Sequence, residues 1–172
     1  STIKNYFDCF LGIDWSGAKG SSHKGISVAK SSKNSNLIEI VEPKNNFWSR
    51  QDIFDYLIEL SSRKVIFVGI DFAFSYPYVD INDFFPDLND CSPKTAKTLW
   101  AMIDNINKEK DDLYGGGIWN DKVFREYYNS PIKRGKYFKS RRRLTELVAK
   151  KYRAPSPTFN CVGPAGVGTG TL

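Results

Sequence analysis

The sequence predicts an α/β domain on a mixed sheet: a three-stranded antiparallel meander, a crossover helix, and a fourth strand parallel to one of the first three. Three observations predict it. Apolar runs of strand length recur at 7–14, 24–30, 36–43 and 64–71. A segment of helical spacing stands between the third and the fourth, and serine, glycine and asparagine punctuate the early gaps. At 172 residues, 41% of them apolar, the chain has the size of one domain and needs neither disulfide nor cofactor to hold it together.

"FDCFLGID" (7–14) is a mostly apolar strand, and "KGISVAK" (24–30) and "NLIEIVEP" (36–43) alternate well enough to complete the meander. In "SRQDIFDYLIELSS", Ser49 is placed as N-cap with Asp52 three residues on, and Ile53, Phe54, Leu57 and Ile58 share a helical face. "KVIFVGID" (64–71) has the β-branched and aromatic content of a central strand covered on both faces. Strand, helix, strand is a crossover, which makes the fourth strand parallel to an earlier one.

The stretch "FAFSYPYVDINDFFPDLNDCSP" then has three prolines and no sustained period, as expected of a long connection or an inserted cap. Ser92 and Pro93 open a predicted helix with Ala96, Leu99, Trp100, Ile103 and Ile106 as its buried stripe. "YGGGIWN" ends it, and a shorter helix follows around Val123, Phe124, Tyr127 and Tyr128. A helix near Arg142 to Tyr152 that buries Leu144, Leu147 and Val148, and a strand at "PTFNCVG", complete the expectation. One domain therefore spans 1–172, with 78–130 as a helical insertion or cap. The chain stops inside the glycine-rich "GPAGVGTGTL", read as a turn or as the edge of a longer domain, so the domain is expected to continue beyond Leu172.

No apolar run reaches the ~18 residues of a membrane span, and the N-terminus lacks the sections of a signal peptide. A cytoplasmic protein without a membrane partner is expected; a homodimer is left open. Cys9, Cys91 and Cys161 are odd in number and far apart, which suits free thiols.

The candidate site begins with two similar strings, "GIDWSGAKG" at 12–20 and "GIDFAFSYP" at 69–77. A carboxylate at the end of an apolar strand is half desolvated and needs something to hold its charge. Asp14 and Asp71 end the first and fourth strands, 57 positions apart. If the crossover returns the fourth strand beside the first, the two run about 4.8 Å apart and both carboxylates reach one edge. Like charges that close require a shared proton or a cation, and hard oxygen ligands suit Mg²⁺ or Mn²⁺. Alternatively, each aspartate caps the turn that follows it.

The order β-β-β-α-β with acids ending strands one and four resembles the ribonuclease H-like fold. The strings "GIDWSGA" and "VGIDFAFSYP", followed by "RLTE" and "FNCVGPAGVGTGTL", are similar to a family of largely uncharacterised predicted ribonuclease H-like nucleases. The resemblance extends over most of the chain outside 78–130. It implies that Asp14 and Asp71 are catalytic metal ligands and makes Glu146 a candidate third acid. The fold usually places another acid on a C-terminal helix, and this sequence shows none there.

Charge placement points to the partner. Lys133 to Arg153 contains ten basic residues and one acid, a local net of +9 in a chain of +6, so the remainder carries −3. In "KRGKYFKSRRR", Lys133, Arg134, Lys136, Lys139, Arg141, Arg142 and Arg143 are interleaved with Tyr137 and Phe138, a composition that neutralises phosphates and stacks bases. The plainer account is a solvated helix face, on which Glu146 pairs with Arg142 or Lys150 four residues away.

Ser16 and Gly17 follow Asp14 closely enough for a tight turn to aim N–H groups at a phosphate. That supports an alternative, an ATP-dependent phosphotransferase or ATPase on the related actin-like core. The bulky "FAFSYP" after Asp71 offers no second phosphate loop, and "GPAGVGTGTL" lacks the lysine-serine ending of a Walker motif. His23, the sole histidine, is expected to be an ordinary loop residue. The leading expectation is thus a metal-dependent nuclease, in which Asp14 and Asp71 hold one or two divalent ions that activate water against a phosphodiester. A non-catalytic nucleic-acid-binding module on the same fold is a third possibility.

Overall fold

The computed structural model describes residues 6–163 and 168–172 and divides the chain into two compact units, Ser1–Asp71 and Phe72–Leu172. Among its described residues the first unit holds a mixed α/β arrangement of four strands and one helix. Its strands are β1 (Cys9–Asp14), β2 (Ser27–Ser32), β3 (Glu39–Ile40) and β4 (Ile66–Ile70), with helix α1 (Arg50–Ser61) between the last two. Strand order is β3-β2-β1-β4. β1–β2 and β2–β3 are antiparallel, and β1–β4 is parallel, as the crossover argument requires.

Alternation along β1 sorts its side chains. Cys9, Leu11 and Ile13 are buried and form a core with Ile26, Val28, Trp48 and Ile53, while Gly12 and Asp14 are exposed. α1 begins at the expected cap: Asp52 N donates to Ser49 Oγ (2.9 Å) and Ser49 N donates to Asp52 Oδ2 (3.1 Å). Such a box satisfies two otherwise orphaned donors and contributes about 1 kcal/mol. Ile53 is buried and Leu57 half-buried, but Phe54 and Ile58 are exposed, so the buried stripe is narrower than the spacing suggests.

Two expectations for this unit need correction. β4 is the end strand of the sheet, and only Ile66, Val68 and Ile70 pack against the core; Phe67 and Gly69 face solvent. Its apolar run comes from one buried face and one exposed aromatic, not from burial on both sides. His23 is buried, its N–H donating to Trp48 O at 2.9 Å in a short antiparallel bridge.

The second unit is built around α2 (Ala96–Asn107). Thr95 caps α2, so the helix starts three residues later than the Ser92–Pro93 pair indicates. Leu99 and Ile103 are buried, Ala96 and Ile106 half-buried, and Trp100 is about half exposed with its Nε1 donating to Phe74 O at 2.6 Å. The helix expected around Val123 is a 3₁₀ turn, Phe124–Tyr127, and "PTFNCVG" makes only an isolated bridge from Asn160 to Asn129. Residues 78–130, expected as a helical insertion or cap, are mostly turns and short 3₁₀ segments besides α2. They share one core with Phe159 and Cys161. Residues 164–167 of the terminal glycine-rich stretch lie outside the described residues, and Gly168–Thr171 form a short helix that follows α3 (Leu144–Ala149), here α4. All three cysteines are free thiols. Among the described residues no helix is long and apolar enough to cross a membrane.

Arg141 fastens the proline-containing connection of this unit. Its guanidinium pairs with Asp80 through Nε and Nη2 (2.8 and 2.7 Å) and donates to Phe84 O (2.7 Å), Pro77 O (2.8 Å) and Asp83 O (2.6 Å). Asp83 is held in turn by Ser92 Oγ and by Lys94 at 3.2 Å. Removing the guanidinium strands three carbonyls and a half-buried carboxylate. Arg141→Met is expected to destabilise the protein by about 3 kcal/mol, read as a lowered midpoint in urea with an unchanged slope.

Candidate functional site

The parallel register of β1 and β4 places the two aspartates. Gly12 stands opposite Gly69 and Ile13 opposite Ile70, and the ladder continues with Asp71 N donating to Ile13 O at 3.3 Å. Asp14 and Asp71 therefore leave the sheet side by side at the carboxyl ends of adjacent strands. Asp71 Oδ1 accepts from Trp15 N at 2.8 Å, which fixes the carboxylate toward the β1 end. Partial desolvation and then the neighbouring Asp71 carboxylate, which also hydrogen-bonds to it, raise the Asp14 pKa above its ordinary 3.8.

The loop after Asp14 is held by a residue that sequence reasoning passed over. Arg50 is buried; its Nε and Nη2 donate to Ser16 O (3.1 and 3.0 Å), and Nη2 donates to Ala18 O (2.5 Å). Ser16 Oγ accepts from Ala18 N at 3.3 Å. The loop's carbonyls thus turn toward a guanidinium, whereas a phosphate cradle would require converging N–H groups around Ser16 and Gly17. The available signal was Arg50 itself, a cation in the first turn of a helix, where the helix dipole disfavours it.

Glu146, the candidate third acid, lies in the second unit and is buried at the start of α3. Its Oε2 accepts from Arg143 N (2.8 Å) and its Oε1 from Arg143 Nη2 (2.7 Å). The partner is Arg143, three residues before it, and not Arg142 or Lys150. α3 is also turned over relative to expectation: Glu146 is buried, and Leu144, Leu147 and Val148 are exposed. The backbone N–H and guanidinium of Arg143 satisfy both oxygens of the Glu146 carboxylate on the buried face.

The seven cations of the basic segment divide into two groups. Arg141 is consumed by the contacts described above, Arg142 Nε donates to Pro155 O (3.0 Å), and Arg143 is bound to Glu146. Lys133 Nζ reaches Glu126 Oε1 at 2.5 Å. Arg134 lies 5.0 Å from the Phe138 ring centroid and Lys136 5.1 Å from that of Tyr137, and both of these cations and Lys139 are exposed. The aromatic interleaving noticed in the sequence therefore includes cation–ring contacts at Arg134 and Lys136.

Among the described residues no group of three or more histidine, cysteine, aspartate or glutamate side chains converges. Two adjacent carboxylates still match what Mg²⁺ or Mn²⁺ takes from a protein, one or two carboxylates with water and substrate oxygens completing the shell. Comparison with protein-family models, curated proteins and solved structures finds no match for the chain.

Two predictions arise here. An acid whose folded pKa lies above its unfolded value costs stability as pH rises through that window, so ionised Asp14 is unfavourable at neutral pH and its cost disappears well below 3.8. Asp14→Asn is therefore expected to raise the melting temperature slightly in EDTA at pH 7 and to abolish the rise that Mn²⁺ gives wild type. Glu126 behaves oppositely. Its bonds to Lys133 Nζ and Lys136 N hold its pKa at about 2, below the ordinary 4.5, so its contribution is fully present above 4.5 and disappears as pH falls toward about 2. Glu126→Gln should lower the unfolding midpoint at pH 7 and leave it nearly unchanged at pH 2.

Proposed function

We propose that this protein is a ribonuclease H-like nuclease that hydrolyses phosphodiester bonds of nucleic acid with the help of Mg²⁺ or Mn²⁺. One observation carries the reading: Asp14 and Asp71 side by side at the carboxyl ends of parallel β1 and β4. The element order β1-β2-β3-α1-β4 and the sheet order β3-β2-β1-β4 support the same class.

In this reading Asp14 and Asp71 hold the ion, Trp15 N–H orients the Asp71 carboxylate, and Arg50 holds the loop that carries Trp15. A divalent ion there supplies charge neutralisation at the phosphate and lowers the pKa of water. Arg134, Lys136 and Lys139 are the exposed cations suited to the phosphate backbone. Glu146 lies in the second unit, held by Arg143, and has no part in this reading.

Labelled DNA and RNA, single- and double-stranded, incubated with Mn²⁺ provide the test. Wild type is expected to cleave one of them. Asp14→Asn and Asp71→Asn should each lower the rate by more than the ~100-fold that loss of an outer-shell partner costs a metal site. Retained cleavage in both variants would sink the mechanism, and Mn²⁺ binding that appears only with ATP would replace it with the phosphotransferase reading.

A further inference from the structure

The sheet face that carries the two aspartates has features that carboxylate chemistry does not use. Register partners share a face, so Phe10, Gly12 and Asp14 of β1 lie beside Phe67 and Gly69 of β4 and Ser31, Ala29 and Ser27 of β2. At one end the Phe10 and Phe67 ring centroids are 6.1 Å apart, and Phe7 joins them at 6.0 and 5.3 Å. Phe67 is 50% exposed. Between rings and carboxylates the strip is bare: a Cβ built on Gly12 meets nothing within 4 Å, and one on Gly69 meets only Leu11 O at 3.8 Å. Phe67 and Asp71 are four residues apart, about 13 Å along the strand. Two exposed lysines stand at the ring end. Lys33 N donates to Asp8 O (2.9 Å), and Lys64 precedes Val65, whose N donates to Asp8 Oδ2 (2.8 Å).

We infer that this strip is a track for single-stranded nucleic acid. Unpaired bases stack on Phe10 and Phe67, the backbone crosses the Gly12–Gly69 trough, and a phosphate reaches Asp14 and Asp71; what happens at that last position rests on the nuclease reading. Charge and shape select the occupant. A protein packed on the rings and along the strip would also bury both carboxylates, which is costly without a cation. A nucleic-acid strand offers phosphates to Lys64 and presents flat π-faces to the rings, and its mobile counterions accompany it where it passes the carboxylates, which a folded protein surface cannot supply. The missing Cβ atoms let a sugar-phosphate chain lie close to the sheet backbone. A duplex keeps its bases in the stack and out of reach of the rings.

Fluorescence anisotropy of a labelled short oligothymidylate in EDTA, where cleavage does not contribute, tests the track. Phe67→Leu keeps an apolar side chain and loses the stacking face, and is expected to weaken binding about tenfold. Gly12→Val fills the trough, favours the strand, and should weaken binding without lowering the melting temperature. The Asp14→Asn, Asp71→Asn double variant removes two charges that repel a phosphate in EDTA and should bind more tightly than wild type, and a matched duplex should bind at least about tenfold less tightly than the single strand. Wild-type affinity in both Phe67→Leu and Gly12→Val, or equal affinity for duplex, overturns the proposal. So does sedimentation showing that wild type self-associates and Phe67→Leu does not, because the rings are then a contact between copies. If the binding pattern holds and no cleavage is found with Mn²⁺, the track stands and the nuclease reading alone fails.

Discussion

The parallel pairing of β1 with β4 is the constraint on which the candidate site depends. A parallel ladder evenly spaces its partners, so a register that sets Gly12 against Gly69 necessarily sets Asp14 beside Asp71. A slip of one residue would put one aspartate on the core face and the other in solvent, and would drive Cys9, Leu11 and Ile13 out of the core. The hydrophobic face therefore locks the like-charged pair in place. The core holds together two carboxylates that would separate if left to their own electrostatics.

Charge in the second unit is used differently from what its density in the sequence suggests. A run of cations reads as one electrostatic surface, yet an arginine can offer several donors in a fixed fork, and buried carbonyls compete for them. Arg141 satisfies Asp80 and three backbone carbonyls, and Arg143 satisfies Glu146. Carbonyls in a proline-containing connection are not paired by a regular ladder, and here the Arg141 guanidinium takes three of them. Arg134, Lys136 and Lys139 remain exposed at the surface, as does Lys133 beside Glu126.

Where the sequence was legible, the physics was local or strictly periodic. The Ser49–Asp52 box, the crossover and the adjacency of the two aspartates follow from capping chemistry, helix spacing and chain handedness. Burial was less legible because it depends on neighbours. "KVIFVGID" has the composition of a doubly covered strand, and only the sheet order shows that Phe67 faces out. α3 buries Glu146 and exposes Leu144, Leu147 and Val148, an inversion that hydrophobic periodicity alone cannot give. Arg50 was missed for a related reason: its partners, Ser16 O and Ala18 O, are more than thirty residues away.

The exposed strip beside the aspartates follows from a balance of local costs. Glycine inside a strand weakens it, and an exposed phenylalanine gains little from the hydrophobic effect. Gly12 and Gly69 stand opposite each other where a Cβ would meet open space or ordinary contact, so packing does not demand glycine at either position. Conformation does not demand it either, since neither residue is among those with positive φ. Two strand-weakening residues kept in register, next to two carboxylates that repel, are hard to explain by stability. They are readily explained if the face must stay flat and open for a chain that lies on it.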